Sequence, residues 1–273
     1  MTLPISEIKT GIFAQTPSAL PADKAMVMGH RGASAIAPEN TLTAFKLAVQ
    51  HNIAWIEVDA DMLGDGTVVI SHDAELERCT NKQGLLQELN QHDLLDIDAG
   101  SWFSDEFIDE PLPTLKALIE FTNRTGVKLN LEIKSGSNKL ATDALISGVI
   151  ADINRYWSGS QQLLISSFNH LLLREMKCRA PEISLACLFD APLPNDWLTS
   201  MQYVQADFIH PCDTGLTQAQ VMAMVSAGYQ VNVWTVNDLR RANQLINWGV
   251  KGICSDIAHQ FPRAYRQLTG NTI

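Results

Sequence analysis

The run Trp55-Ile56-Glu57-Val58-Asp59-Ala60-Asp61-Met62, the turn residues Asp65-Gly66 and the returning run Val68-Val69-Ile70-Ser71-His72 decide how this 273-residue chain folds. Side chains alternate across a strand, so with Ile56 and Val58 directed toward covering helices, Glu57 and Asp59 share the opposite, inward face. Asp-Gly is the strongest short hairpin signal, so the first run climbs through a barrel, passes the rim and folds back antiparallel. With Asp65 and Gly66 as the two loop residues, the register pairs Gly64 with Thr67 and, counting outward, Asp59 with His72. That register returns an imidazole to the carboxylates.

Outward from this hairpin, apolar or β-branched runs alternate with helical-period segments, the sign of a parallel sheet with crossover helices. Strands are expected at 25–30, 55–62, 128–134, 163–168, 184–189, 207–211, 230–236 and 251–255. Helices are expected at 40–51, 115–124, 141–156, 170–179, 217–227 and 238–248. Eight strands predict a (β/α)8 TIM barrel, with Val68–His72 outside its wall. The competing doubly wound open sheet lacks its dinucleotide signature, because no Gly-x-Gly-x-x-Gly follows the first strand. The stretch 74–113 is rich in Asp, Asn, Gln, Gly and aromatics, and reads as a small cap insertion after strand 2. The predicted organisation is an N-terminal extension, 1–24, followed by the barrel, 25–273.

Composition narrows the class. A net charge of −10 disfavours nucleic acid and anionic lipid as partners, since no basic patch offsets it. Cys79, Cys178, Cys187, Cys212 and Cys254 are odd in number and form no C-x-x-C pair, so they read as reduced thiols. The first 24 residues have neither a basic n-region nor a continuous apolar h-region, and no later run is long enough to span a bilayer. These features predict a cytoplasmic protein with no stable membrane association. Whether the extension packs on the barrel or serves a homodimer interface is left open.

The same alternation places Asn130, Glu132 and Lys134 on the inner face of their strand, opposite Leu129, Leu131 and Ile133. Glu57, Asp59 and Glu132 then converge, and three carboxylates in a confined site repel unless a cation or proton intervenes. All-oxygen donors favour Mg²⁺, Ca²⁺ or Mn²⁺ over zinc. Gly29-His30-Arg31-Gly32 adds an imidazole and a phosphate-matching guanidinium to His72, a mixture suited to metal-assisted attack on a phosphate ester. Alone, each residue has an ordinary reading: a carboxylate in an ion pair, a strand-end histidine, a core tryptophan at Trp234. His51, His92, His170, His210 and His259 keep that structural reading. Asn40 reads as a helix N-cap with Glu39 anchoring Arg31, and Asp73 as a turn residue ahead of an imidazole partner.

His30-Arg31-Gly32, Pro38-Glu39-Asn40-Thr41, Glu57-Val58-Asp59, Asp65-Gly66, His72-Asp73, Leu131-Glu132-Ile133-Lys134, Ser167-Phe168-Asn169 and Trp234-Thr235-Val236-Asn237 occur in the order found in glycerophosphodiester phosphodiesterases, and the chain resembles that family from about Met26 to Asp256. The resemblance implies a divalent cation on Glu57, Asp59 and Glu132, His30 and His72 as the acid-base pair, Arg31 and Lys134 on the phosphate, and Trp234 lining the substrate pocket. Departures at Leu63-Gly64, at Cys79 and after Ser255-Asp256 are expected to fall outside the chemistry. The substrates implied are small diesters such as glycerophosphocholine and glycerophosphoethanolamine. Two alternatives stand beside them: a lysophospholipase D-type enzyme using Trp102, Phe103 and Phe107 as an apolar groove, and a barrel that binds phosphodiesters without turnover.

Overall fold

Strand β2 (Trp55–Met62) lies between β1 (Met26–His30) and β4 (Lys128–Ile133), parallel to both, with Glu57 opposite His30 on one side and Asp59 opposite Glu132 on the other. The computed structural model describes residues 26–159 and 162–266. The expected extension 1–24, and Ala25 of the first expected strand, lie outside the described residues. Beyond β4 the parallel order continues through β5 (Leu163–Ser167), β6 (Ser184–Phe189), β7 (Phe208–Pro211), β8 (Gln230–Val233) and β9 (Gly252–Ser255), and β9 pairs back onto β1. The eight parallel strands thus close a (β/α)8 barrel. The short β3 (Val68–Ile70) pairs antiparallel with β2, outside the wall, and on its other side Val69 bridges to Thr114.

Helices cover the barrel because each β-strand's outward residues need an apolar partner. Ile56, Val58, Leu129, Leu131, Ile133, Ile165 and Leu185 form one continuous buried layer with residues of α1 (Leu42–Gln50), α2 (Leu115–Thr125), α3 (Lys139–Tyr156) and α4 (His170–Arg179). The lumen has its own smaller apolar cluster, including Met26, Met28, Trp55, Leu164, Phe208 and Cys254. The expected faces are therefore as read. Helices α6 (Gln218–Ser226) and α7 (Leu239–Asn247) begin after the side-chain caps Thr217 and Asp238. Helix α5 (Trp197–Val204) was not expected; no side chain caps it, and Gln205, not Gly, takes the left-handed position at its end (φ 61°). Asp196 at its start is a favoured N-cap type that went unread, whereas its stop signal is missing from the sequence. A final turn of helix, α8 (Arg263–Arg266), follows β9.

Two local expectations need correction. The observed pairs are Ala60 with Ile70 and Met62 with Val68, and Ser71 N–H donates to the Asp59 carbonyl, so the register is one residue from that predicted. The loop holds three residues, Gly64 to Gly66. Leu63 N–H donates to the Thr67 carbonyl, and Gly66 takes φ 91°, the left-handed position of a three-residue hairpin loop. The cap of α1 is Thr41, whose hydroxyl accepts from Ala44 N–H; Asn40 precedes it with φ 58° and turns its side chain elsewhere. The insertion 74–113 contains three short 3₁₀ turns around a private core that includes Leu63, Leu76, Leu86 and Ile97. Its aromatics stack edge to face, with Phe107 packed on the barrel core and Trp102 39 % exposed.

Candidate active site

The turn after β1 wraps tightly because Arg31 (φ 54°), Gly32 (φ 88°) and Asn40 (φ 58°) all adopt left-handed backbone conformations. Non-glycine residues in that region carry a strain cost that surrounding contacts must offset. Here the contacts are carboxylates. Arg31 N–H donates to Glu57 Oε2 at 3.1 Å, its Nη1 to Glu39 Oε1 at 2.6 Å, and its Nε lies 3.4 Å from Asp59 Oδ2. Asn40 Nδ2 donates to Asp59 Oδ2 at 2.8 Å, while Asn40 Oδ1 accepts from Asp59 N–H at 3.3 Å. Asn40 therefore orients the central carboxylate from both ends of its amide. The expected anchoring of Arg31 by Glu39 is present.

Glu57, Asp59 and Glu132 are buried, and each has a carboxylate oxygen within 4.8 Å of the others. Lys134 Nζ lies 2.7 Å from Asp59 Oδ1 and 2.5 Å from Glu132 Oε1. Burial and the neighbouring Asp59 charge push the Glu57 carboxyl well up, and burial likewise raises Glu132. Asp59 moves down: burial opposes ionisation, but the Lys134 ammonium and the Arg31 guanidinium outweigh it. The three acids thus sit in unequal fields, and a further positive charge among them would offset their mutual repulsion. The donors are hard oxygens from neighbouring strands, so the residues fit a divalent cation of the Mg²⁺, Ca²⁺ or Mn²⁺ type.

Each expected imidazole is held by a carboxylate. His30 Nδ1 donates to Asp256 at 2.6 Å, and Asp256 is itself fixed by Asn237 Nδ2 at 2.6 Å and Ser34 Oγ at 3.2 Å. His72 Nδ1 donates to Asp73 at 2.5 Å. Asp73 is therefore an imidazole partner, and the turn reading is corrected. Arg78 from the insertion binds Asp73 through Nε and grips Glu39 through Nη1 and Nη2 at 2.9 and 2.8 Å, bridging the groups that hold His72 and Arg31. Burial lowers the His30 proton affinity, but its bond to Asp256 and the Glu57 charge more than reverse this, whereas burial of His72 prevails over Asp59 and lowers it. Asp256 falls to about 2: burial opposes this, and the His30 hydrogen bond leads the groups that overcome it.

A cavity opens among these groups, lined by His30, Glu57, Glu132 and Trp234. Trp234 Nε1 donates to the His210 carbonyl at 2.9 Å, and its ring meets Phe168 edge to face, 5.3 Å between centroids. The eight residues expected to form the site therefore lie at one end of the barrel, in contact with one another except for His72, which is in electrostatic range of Asp59, Lys134 and Arg31, and Trp234, which lines the same cavity. Asp256, Asn40 and Arg78 were missed as site residues. Asp256 and Asn237 bore a usable signal, since both fall inside or beside quoted motifs; Arg78 bore none. Of the other histidines, His210 is buried against Asn232 at 2.9 Å and His170 bonds the Leu188 carbonyl at 3.0 Å, as structural histidines do.

Comparison with known proteins agrees with this geometry. The profile of the "Glycerophosphoryl diester phosphodiesterase family" matches residues 30–259. A glycerophosphodiester phosphodiesterase of Caldanaerobacter subterraneus is 31 % identical over 233 residues, 85 % of this chain and 94 % of that protein. One from Bacillus subtilis is 26 % identical over 285 residues, covering 97 % and 94 %. Among solved structures, a phosphodiesterase of Oleispira antarctica in complex with the product sn-glycerol-3-phosphate superposes with a TM-score of 0.84 at 34 % identity, over 88 % of this chain and 96 % of that one.

Proposed function

Since the chain belongs to the glycerophosphoryl diester phosphodiesterase family and is a phosphoric diester hydrolase, we propose that it cleaves small glycerophosphodiesters to sn-glycerol 3-phosphate and an alcohol, with His30 and His72 dividing the two proton transfers. Glycerophosphocholine and glycerophosphoethanolamine are the substrates proposed. The observation that carries this reading is the approach of Glu57, Asp59 and Glu132 to within 4.8 Å beside two carboxylate-held imidazoles. The catalytic barrel is taken as 25–273, preceded by the extension 1–24.

Glu57, Asp59 and Glu132 would hold one divalent cation, which when bound supplies a Lewis acid for a phosphate oxygen and offsets charge that develops in the transition state. Arg31 offers its planar fork to the phosphate and Lys134 a point charge, each released in part from its present carboxylate partners. One imidazole takes the proton of the nucleophile, either water or the glycerol moiety's own hydroxyl, whose cyclic phosphate water then opens, and the other protonates the departing alkoxide. Each contribution is worth about 10² to 10⁴ in rate. Asp256 and Asp73 occupy the Nδ1 positions, so both histidines work through Nε2. Trp234 walls the pocket beside the leaving group.

The test is release of glycerol 3-phosphate from head-group diesters, with EDTA and then with Mg²⁺, Ca²⁺ or Mn²⁺ restored. Loss with chelator and recovery with metal are expected, and His30→Ala and His72→Ala should each fall by at least about 10². Undiminished turnover in EDTA, or in either variant while folded, would sink the assignment. Faster turnover of lysophosphatidylcholine than of glycerophosphocholine would shift it to a lysophospholipase D-type enzyme using the exposed Trp102. Absence of metal-dependent turnover on every diester would leave the binding-only barrel.

A further inference from the structure

A second donor set, sharing Glu57 with the three carboxylates, lines the same cavity. A ring nitrogen of His30, a carboxylate oxygen of Glu57 and the Cys254 sulfur lie within 4.8 Å of one another. Cys254 reaches this point because β9 pairs with β1 in a register that sets it opposite Met28, one layer beneath His30. Its thiol is buried, 4 % exposed, and the hydrolysis derived above makes no use of it.

Three features make this set a metal site of different character. Thiolate, imidazole and carboxylate together suit a borderline ion such as Zn²⁺ or Cd²⁺ and are poor donors for Mg²⁺ or Ca²⁺. Asp256 takes His30 Nδ1 at 2.6 Å and leaves Nε2, 3.9 Å from Glu57 Oε2, as the free nitrogen; a carboxylate on the far nitrogen is the usual support of a metal-binding histidine. Asn130 and Ser166 line the same cavity, and their Oδ1 and Oγ are buried atoms with no hydrogen-bond partner among the described residues, able to accept from or donate to a water completing the coordination. Zinc bonds of about 2.0 to 2.3 Å span donors roughly 3.5 Å apart, so side-chain shifts on the order of 1 Å close the set.

We infer that His30, Glu57 and Cys254 form an inhibitory site for zinc-class divalent ions, distinct in donor chemistry from the oxygen cluster with which it shares Glu57. On binding, an S–metal bond replaces the Cys254 S–H bond and the proton passes to solvent. His30 Nε2 becomes a ligand and can no longer transfer a proton, so turnover stops while substrate contacts at Arg31 and Lys134 remain.

The experiment uses the whole chain at a fixed, saturating concentration of the ion that supports turnover. Zn²⁺ should inhibit, and Cys254→Ser should raise the half-inhibitory concentration by at least about tenfold, with zinc-free turnover within twofold of wild type. Independently of activity, Cd²⁺ should produce an ultraviolet thiolate-to-metal charge-transfer band with one equivalent bound. That band should vanish in Cys254→Ser, which retains Cys79, Cys178, Cys187 and Cys212, and weaken in His30→Gln. Should serine at 254 prevent folding, Cys254→Ala serves the same two measurements. Equal zinc sensitivity in the position-254 variant, or a band that survives it, overturns the site. The inhibition arm rests on His30 as a proton-transfer group and the cadmium arm does not, so a wild type that binds Cd²⁺ through Cys254 yet is not inhibited by Zn²⁺ refutes only the catalytic reading.

Discussion

His30 Nδ1 lies 2.6 Å from Asp256, and that bond is the main force raising the imidazole's proton affinity against its burial. Asp256→Asn keeps the size of the partner and removes its charge. We expect kcat to fall by about 10- to 100-fold with KM nearly unchanged, and the kinetic limb that reports His30 to move to lower pH. Steady-state pH profiles of both proteins check this, and a variant with an unshifted limb would show that Asp256 is only structural. The sequence made His30 legible and marked Asp256 by its place beside a motif, but not their pairing across 226 residues, because only closure of β9 onto β1 joins them. Asn40 and Asp73 failed differently. A side chain that caps helices well also serves a buried carboxylate well, and an Asp after His looks the same in a turn or on Nδ1. Backbone conformation decided the first case: φ 58° at Asn40 removes it from the cap and leaves Thr41 there.

At the scale of elements, the hairpin that delivers His72 was legible in kind and wrong by one position. Asp65-Gly66 signals a turn, yet Asp65 Oδ1 accepts from Thr67 N–H at 2.9 Å and the left-handed Gly66 closes a three-residue loop, which shifts the pairing. Gly64, the extra loop residue, packs against the insertion: its N–H donates to the Leu89 carbonyl at 2.9 Å, and a Cβ there would strike the Gln87 carbonyl. Backbone cannot yield as a side-chain tip can. Gly64→Ala should therefore destabilise the protein by roughly 1 to 3 kcal/mol and loosen the short helix Leu86–Glu88. Chemical unfolding together with hydrogen exchange of the insertion checks both parts, and an unchanged midpoint would mean that the hairpin and insertion slide freely. The departure from the family pattern at Leu63-Gly64 thus has a structural role, the packing of the hairpin loop on the insertion.

Across the whole molecule, the strand alternation that made the barrel readable also sorts its lumen. Inward residues near the strands' first ends are apolar, as Met26, Trp55 and Phe208 are, and those toward the other end are Glu57, Asp59, Glu132 and His30. What the sequence could not supply was the depth of each polar group, since depth depends on stagger between strands that only the closed barrel fixes. His210 marks the boundary. It is buried within the lumen against Asn232, and burial alone drops its pKa to about 3 from the ordinary 6.5. Well above pH 6.5 it is neutral in folded and unfolded chains alike and adds no slope to stability. As pH falls toward 3 the unfolded chain takes a proton that the native lumen refuses, so stability is lost with acid at up to about 1.4 kcal/mol per pH unit. His210→Gln keeps an amide for Asn232 and removes the titration. Between pH 7 and pH 5, in EDTA, the wild type should lose about 2 kcal/mol more stability than the variant by urea unfolding. Equal losses would mean that water reaches His210 and that the lumen is not dry at this depth.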